Sequence, residues 1–372
     1  MNEWIFRTFS PIIKVVGAGC NLRCTYCFYF GHQPKINIMG NDVLKLVLSE
    51  CLQAASFVRF IWHGGEPTIA GAEYYRKILA IEDKVRRDGQ KVTHSIQTNA
   101  TLLNPQWIDL LKSKRFSIGV SIDGPEYLHN FARINANGRG SFREVQKGIV
   151  LFRNAGIKFG SIAVVNSYTV NFPEEIFWFM YNQKISFSAN ACVAYPSDPE
   201  EVRQLTISPM QFSNFLLRLL DLWLKTDDPT FNIKPLDDII KGILGRQPSL
   251  CRYRGQCQMY LTIDSNGDVY PCDEYLNQNY NFGNLRQTPL KKIVQSTNLN
   301  EYYAGRTIMQ TVCQNCQWFN ICKGGCMREW GGSKSITDPR ETEFCKARQF
   351  LFEEVRDRIQ LLGYSKKEIL NV

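Results

Sequence analysis

Three cysteines near the start of the chain have the spacing of an incomplete cluster site. Cys20, Cys24 and Cys27 form a C-x3-C-x2-C pattern that follows the apolar run PIIKVV. Four thiolates would complete the coordination of a cubane iron–sulfur cluster, whereas three leave one iron open to a small molecule. A structural zinc site is the alternative, but zinc favours four ligands in C-x2-C pairs. The pattern therefore favours a [4Fe–4S] cluster with an open iron.

The second half of the chain carries a denser group of eight cysteines. Four of them form a C-x2-C-x5-C-x3-C run, and eight thiolates are enough to ligate two complete cubane clusters. For this segment taken alone, a pair of four-cysteine zinc sites is an open alternative. With the N-terminal group present, iron–sulfur clusters are favoured. The eight positions are Cys251, Cys257, Cys272, Cys313, Cys316, Cys322, Cys326 and Cys345.

The remaining cysteines and the N-terminal residues indicate the compartment. Cys51 lies in a helical pattern, where a small core residue is expected, and Cys192 ends a strand-like run. An odd total of 13 cysteines argues against a disulfide framework, and thiols reserved for metal indicate a reducing cytoplasm. MNEWIFRTFS has no secretory pattern, and no apolar stretch approaches the ~20 residues of a membrane helix. We therefore expect a cytoplasmic protein that does not use a membrane.

The net charge gives no sign of a nucleic-acid partner. The formal value of +9 counts all cysteines as neutral thiols. Three ligated clusters would carry about −1, −2 and −2, which leaves a net charge of about +4. Lysine and arginine are also dispersed, without a long basic tract.

Polar motifs follow several strand-like runs. The motif Gly64-Gly65-Glu66 follows FIWH, and glycines let a backbone approach a ligand closely. The Glu66 carboxylate can pair with an ammonium group. Each polar residue alone is more often a turn or cap residue, and only their order along the chain indicates a site. The next two strand-like runs end in Gln97, Asn99, Ser121 and Asp123.

These motifs lie on an alternation of strands and helices. Six apolar, β-branched runs between residue 11 and about residue 195 alternate with helix-periodic segments, which predicts a parallel sheet covered by helices. The cysteine loop and the polar motifs follow strand C-termini, where barrel folds gather their chemistry. From about residue 236 the chain becomes loop-rich, with a hairpin signal at LTIDSNGDVYPC and a closing helix at FLFEEVRDRIQLLGYS.

Taken together, the motifs resemble the signature of the radical S-adenosylmethionine (SAM) superfamily. The second cysteine group resembles the seven-cysteine SPASM extension, with Cys251 as an eighth. The resemblance implies an α/β fold with a partial (β/α)6 barrel at residues 1–232 and a SPASM domain at 233–372. It implies three [4Fe–4S] clusters and S-adenosyl-L-methionine as cofactors. The two auxiliary ligand sets would be Cys251, Cys257, Cys272 and Cys326, and Cys313, Cys316, Cys322 and Cys345.

The resemblance also implies roles around the cofactor. Tyr26 matches an aromatic residue beside the adenine, and Gly64, Gly65 and Glu66 match the motif that holds the methionine amino group. Arg133 is a candidate for the methionine carboxylate. Ribose and carboxylate contacts fall on Gln97, Asn99, Ser121 and Asp123. Three residues are expected to act on the substrate, with Asp273 as the base and two residues facing a peptide: Tyr29 and His63.

Two subfamilies fit this layout. We predict a maturase of ribosomally made peptides that abstracts a β-hydrogen and forms a cyclophane cross-link, because His63 and the GRGSF run resemble such enzymes. The alternative is an anaerobic sulfatase-maturating enzyme, which oxidises cysteine or serine to formylglycine; CTYCFY, GGEPTIAG and YPCD resemble that family, which usually has glutamine at position 63. A non-catalytic iron–sulfur electron carrier is a remote alternative, against which the GGE motif argues. We expect a peptide or protein substrate, an external flavodoxin- or ferredoxin-type electron donor and a monomer.

Overall fold

The computed structural model describes residues 4–27, 35–113, 115–194, 198–276, 278–330 and 342–361. Tyr29 lies outside the described residues, and its role stays a prediction. Packing divides the chain into two compact units. The first contains Met1–Ile122, His129–Ser161 and Cys257–Glu301, and the second contains Asp123–Leu128, Ile162–Gln256 and Tyr302–Val372. The domain boundary after residue 232 stays a prediction.

The strands within the described ranges have these bounds: β1 Phe6–Phe9, β2 Ile12–Ile13, β3 Ala55–Trp62, β4 Lys91–Thr98, β5 Phe116–Ser121, β6 Gly160–Val165, β7 Phe187–Ala191, β8 Ile233–Lys234, β9 Thr262–Ile263 and β10 Val269–Tyr270. The helices are α1 Asn41–Ala54, α2 Ala72–Val85, α3 Pro105–Leu111, α4 Glu126–Ala132, α5 Phe142–Asn154, α6 Pro173–Asn182, α7 Glu200–Arg203, α8 Pro209–Thr226, α9 Leu236–Ile243, α10 Cys251–Arg254, α11 Leu290–Val294, α12 Thr297–Cys313, α13 Phe319–Cys322 and α14 Glu343–Leu361.

The first unit is built on a mostly parallel sheet. Its strand order is β10-β9-β2-β3-β4-β5, and β1 also pairs with β3. The β9–β10 pair is antiparallel, and it forms at the predicted hairpin. Helices α1 and α2 pack against each other, and α1 contacts β3. Cys51 is fully buried in the apolar face of α1, as expected for a small core residue.

The second unit combines strands with long packed helices. Its strand order is β6-β7-β8, and β7 and β8 are parallel. Helix α8 packs against α6 and α14 through an apolar face. Ser208 caps α8 in a reciprocal capping box with Gln211, which satisfies backbone N–H groups that have no partner inside the helix. Searched over its described residues, the chain contains no helix that is long and apolar enough to cross a membrane.

Candidate active site

The cysteine loop and the GGE motif meet through their backbones. Gly65 has a φ of +51°, and a Cβ at this position would overlap the carbonyl oxygen of Gly19. The backbone N–H of Glu66 donates to the same oxygen at 2.8 Å. Only glycine permits both the left-handed conformation and the close approach. The structure therefore brings the motif beside Cys20, which follows Gly19 in the chain.

The Glu66 carboxylate accepts several hydrogen bonds. Its Oε1 accepts from the backbone N of Thr68 at 3.0 Å and from the hydroxyl of Thr98 at 2.7 Å, and its Oε2 accepts from the backbone N of Asn99 at 2.6 Å. The residue is 1% exposed. Burial raises the pKa of Glu66, while these hydrogen bonds oppose the rise. A carboxylate oxygen can accept two hydrogen bonds, so Oε2 can still take an ammonium donor.

The polar residues at the C-terminal ends of β4 and β5 approach the cysteine loop and one another. Asn99 Nδ2 donates to Oδ1 of Asn21 at 2.9 Å and lies 3.8 Å from the sulfur of Cys20. Gln97 Nε2 donates to the hydroxyl of Ser121 at 3.0 Å, so these two side chains form a pair across the neighbouring strands. Their predicted contacts with the cofactor remain predictions.

Asp123 has a different environment from the other three. It belongs to the second unit, is 1% exposed, and its Oδ1 accepts from the backbone N of Val164 at 2.9 Å. This hydrogen bond ties the residue to the backbone of β6. Its predicted role as a cofactor contact stays a prediction.

Tyr26, in the cysteine loop, lies beside Arg133. The guanidinium carbon of Arg133 is 5.4 Å from the centroid of the Tyr26 ring, within cation–π range. Backbone hydrogen bonds from Thr25 to Ala132 and from Arg23 to Ile134, at 2.9 and 2.7 Å, fix the loop to this segment. The structure thus places both predicted cofactor contacts at one position.

The surroundings of the three N-terminal cysteines suit an anionic cluster. Burial raises the pKa of the Cys20 and Cys27 thiols to about 11, so thiolate ligation must displace their protons. Arg133, Lys14 and Arg23 all face Cys27 and favour negative charge there. Among the residues that the structure describes, no three His, Cys, Asp or Glu side chains lie close enough to hold a single ion. In a cubane, each cysteine binds a different iron.

Lys14 is a site residue that the sequence reasoning missed. It is 1% exposed, and a Cβ at Gly64 would lie 2.7 Å from its Cγ and 3.1 Å from its Nζ. Burial lowers the pKa of Lys14, and the charges of Asp273, Asp264 and Cys27 oppose this effect. The available signal was a lysine inside the apolar run PIIKVV, since an isolated buried charge is costly unless it is compensated.

Asp273 lies between a predicted cluster ligand and His63. Its Oδ1 is 3.3 Å from the sulfur of Cys272, whose thiol donates to it, and its Oδ2 is 3.9 Å from Nδ1 of His63. Burial lowers the pKa of His63, Asp273 opposes this, and Lys14 adds to it. His63 Nδ1 makes no hydrogen bond with any described residue. The side chains of His63, predicted to face the peptide, and of Asp273, the predicted base, are 31% and 27% exposed, so both can reach a ligand.

Several auxiliary cysteines lie near one another in the second unit. Burial raises the pKa of the Cys326 thiol to about 12, and the nearby Cys251 adds to this rise. Burial also raises the pKa of the Cys345 thiol, and the nearby Cys322 and Cys316 add to that rise. Each of these neighbours belongs to the same predicted ligand set. The other two members of the first set, Cys257 and Cys272, belong to the first unit.

Comparison with known proteins identifies the class. The radical SAM superfamily matches residues 15–177, and the SPASM iron–sulfur cluster-binding domain matches residues 251–317. The chain is 30% identical to a cysteine-type anaerobic sulfatase-maturating enzyme of Clostridium novyi, over 98% of both proteins. A serine-type enzyme of Bacteroides thetaiotaomicron is 28% identical over 97% of this chain and 92% of that one. The solved structure of native anSMEcpe with bound AdoMet has a TM-score of 0.86 at 28% identity, covering 95% of this chain and 98% of that chain.

The protein is thus a radical SAM enzyme with a SPASM domain. Within this class, it belongs to the family of the anaerobic sulfatase-maturating enzymes. The predicted fold class, a partial barrel followed by a SPASM domain, is confirmed, and so are the predicted cofactors, S-adenosylmethionine and [4Fe–4S] clusters.

The prediction of a cyclophane-forming peptide maturase is wrong. The sulfatase-maturating relatives match almost the entire chain. By contrast, Streptococcus suis SuiB bound to precursor peptide SuiA has 19% identity and a TM-score of 0.62, which shows a shared fold alone. The GRGSF run also has a local structural role, because the Ser141 hydroxyl donates to the carbonyl of Arg133 at 2.9 Å and the Gly138 N–H to that of Asn135 at 3.0 Å. A short turn of this kind is weak evidence for a reaction.

Proposed function

We propose that this enzyme matures sulfatases by oxidising one cysteine or serine of the substrate protein to formylglycine. Both cysteine-type and serine-type relatives support the proposal, as does the likeness to anSMEcpe with bound AdoMet and Cp18Cys peptide, with a TM-score of 0.85 over 95% of this chain. The observation that carries the proposal is the position of Asp273, with its two oxygens directed at the sulfur of Cys272 and at His63.

The reaction requires three removals from the substrate residue. A hydrogen atom leaves the β-carbon, a proton leaves the thiol or hydroxyl, and one electron leaves the resulting radical. When bound, the cofactors supply a carbon radical that takes the hydrogen atom and an acceptor for the electron. A serine becomes the aldehyde directly, whereas a cysteine becomes a thioaldehyde that water converts to the aldehyde with release of hydrogen sulfide.

Asp273 is the proposed acceptor of the substrate proton. It follows Cys272 directly, so the base stands 3.3 Å from the sulfur of a proposed cluster ligand. The proton acceptor and the predicted cluster ligand are therefore neighbours, so the substrate can lose a proton and an electron in the same direction. Loss in one direction avoids the separation of opposite charges. Lys14 lies close enough to this carboxylate for their charges to interact.

His63 is proposed to orient the substrate or the base. Because burial lowers its pKa, the imidazole is neutral near pH 7. A neutral imidazole has one N–H donor and one acceptor nitrogen, so it can hold Asp273 or a peptide amide without adding positive charge. This role does not need the glutamine that the family usually has at this position.

The proposal includes the setting in which the enzyme works. Its substrate is a peptide or protein segment, and its electrons come from an external flavodoxin- or ferredoxin-type donor. Thiolate-bound clusters require a reducing compartment, so we place the enzyme in the cytoplasm. We further propose that it acts as a monomer.

A peptide assay tests the reaction. Reconstituted enzyme, SAM and dithionite are incubated with three versions of one sulfatase segment, which carry cysteine, serine or alanine at the target position. We expect an aldehyde, captured with a hydrazine reagent and located by mass spectrometry, in the cysteine or serine version, with one 5′-deoxyadenosine per aldehyde. The alanine version should give none. If 5′-deoxyadenosine formed without aldehyde in any peptide, the proposed function would be rejected.

A further inference from the structure

A network of charged side chains, centred on the buried pair Glu329 and Arg348, lies beside the cysteines of the second unit, and the proposed reaction does not use it. Nη1 of Arg348 donates to the sulfur of Cys322 at 3.6 Å, and Nη2 pairs with Oε2 of Glu329. The same Oε2 accepts from the backbone N of Cys326 at 3.1 Å. Oε1 of Glu329 lies 3.3 Å from Nη1 of Arg252. One glutamate thus joins two arginines and the backbone of a cysteine.

The network is permanently charged, and its central ion pair is buried. The side chains of Arg348 and Glu329 are each 10% exposed. Burial favours the neutral acid, but Arg348 and Arg252 hold the pKa of Glu329 below its ordinary value. An arginine stays protonated at any pH at which the protein is folded. A Cβ at Gly325 would overlap the guanidinium of Arg348, so glycine at this position leaves the space through which the arginine reaches Cys322.

Hydrogen bonds from α14 reach two sulfurs of the same predicted auxiliary ligand set. The residue after Arg348, Gln349, donates from Nε2 to the sulfur of Cys345 at 3.3 Å. Two consecutive residues of α14 therefore donate to two cysteines of one set. At Cys326, from the other set, the network binds the backbone N–H and not the sulfur.

We propose that Arg348, assisted by Gln349, raises the reduction potential of the cluster held by the set that includes Cys322 and Cys345 above the value that this cluster would have without the two donors. Hydrogen bonds and positive charge at ligand sulfurs stabilise the reduced, more negative state of a cluster. Arg348 is then a tuning residue that makes this cluster easier to reduce. The proposal rests on the predicted ligand sets and is independent of which substrate residue is oxidised.

The test is a redox titration followed by electron paramagnetic resonance. Full-length protein with Cys20, Cys24 and Cys27 changed to alanine is loaded with iron and sulfide, so that only the auxiliary clusters contribute. Adding Arg348→Met should lower the equilibrium constant for reduction of one cluster at least about tenfold, which is about 59 mV for a one-electron couple. Gln349→Leu should lower the same couple by less. Unchanged potentials in fully loaded Arg348→Met protein would overturn the proposal.

Three further variants separate tuning from folding. Arg348→Met leaves Glu329 as a buried, partly compensated charge, which can weaken folding. If the single variant therefore loads less iron, the double variant Glu329→Gln/Arg348→Met is titrated in its place. The low potential should persist in this neutral pair, and a wild-type value there would refute the role of Arg348. Arg348→Lys keeps the charge and should recover part of the shift. Arg356→Met removes a partly exposed arginine about 12 Å further along α14, whose guanidinium lies over the Trp318 ring, and should change neither potential.

Discussion

The catalytic end of the first unit and the auxiliary region of the second unit both bury charges next to cysteines, but they compensate them differently. Around Asp273, the groups are a lysine and a histidine whose pKa values are lowered, and His63 and Asp273 are partly open to solvent. Around Glu329, arginines form close ion pairs and hydrogen bonds. A neutral imidazole and a carboxylate can accept protons, whereas the paired arginines keep theirs. This difference fits the proposed proton transfer at Asp273 and the proposed redox tuning at Arg348.

The largest expected effect removes the catalytic cluster while leaving the auxiliary region intact. Changing Cys20, Cys24 and Cys27 to alanine should lower iron by about four per chain, as expected for one cubane, and abolish cleavage of SAM. Iron analysis and 5′-deoxyadenosine assays measure both results. The auxiliary signals in electron paramagnetic resonance should persist. Iron content equal to wild type would refute the assignment.

The next effect concerns the proton-transfer region alone. Asp273→Asn keeps the size of the side chain but cannot accept a proton at neutral pH. Aldehyde formation should fall by ~10²–10⁴-fold, the usual contribution of a general base, while uncoupled formation of 5′-deoxyadenosine continues. Asp264→Asn is the matched control, because this carboxylate also faces Lys14, and its aldehyde yield should stay within the wild-type order of magnitude. Similar losses in both variants would reduce Asp273 to a structural role.

A moderate effect is expected where the GGE motif meets the strand ends. In Glu66→Gln the amide NH2 must face donors that now point at a carboxylate oxygen. Leaving such buried donors unsatisfied costs about 1–3 kcal/mol, and affinity for SAM should fall as well. Thermal unfolding and calorimetric titration measure the two effects. Glu50→Gln, which alters a carboxylate that accepts from the backbone N of Leu290, should leave SAM binding unchanged. An unchanged affinity in Glu66→Gln would remove this residue from the cofactor site.

The smallest effect is a pH dependence at His63. Its folded-state pKa is below the ordinary value, so the unfolded chain binds more protons and the histidine disfavours the folded state as the pH falls below about 6.5. His63→Gln should therefore match wild type above pH 7 and become relatively more stable below about 6.5. Denaturant unfolding across this range measures the difference. A constant difference at all pH values would show that His63 does not titrate between the two states.

The strands and helices that position the site were accessible from the sequence, but several other elements were not. The alternation of apolar runs and helical periods predicted β2 to β7 because burial on both faces requires such runs. Helix α12 has no clear apolar stripe. It is held in place partly by Arg306, which donates to the carbonyl oxygens of Gly325 and Lys323. That support depends on residues distant in the sequence, so no local pattern could show it.

The same distinction holds at the site. Cysteine spacing and the GGE motif were predictable because coordination and close backbone approach demand certain residue types at fixed intervals. The roles of Lys14 and Arg348 come from contacts with Gly64 and Cys322, which only the folded chain brings to them. The choice of reaction failed for a related reason, since His63 and one short turn were given more weight than the whole length of the chain.

The crowding at Gly65 has a consequence for how the gene can change. Any missense change in a glycine codon adds a side chain, and here that side chain would overlap the carbonyl oxygen of Gly19. Gly156, directly after the C-terminal end of α5, also has a positive φ, of +67°, but open space surrounds its missing Cβ. A substitution library should therefore recover asparagine or aspartate at position 156, since both tolerate the left-handed region at a helix C-terminus, and only the parental codon family at position 65.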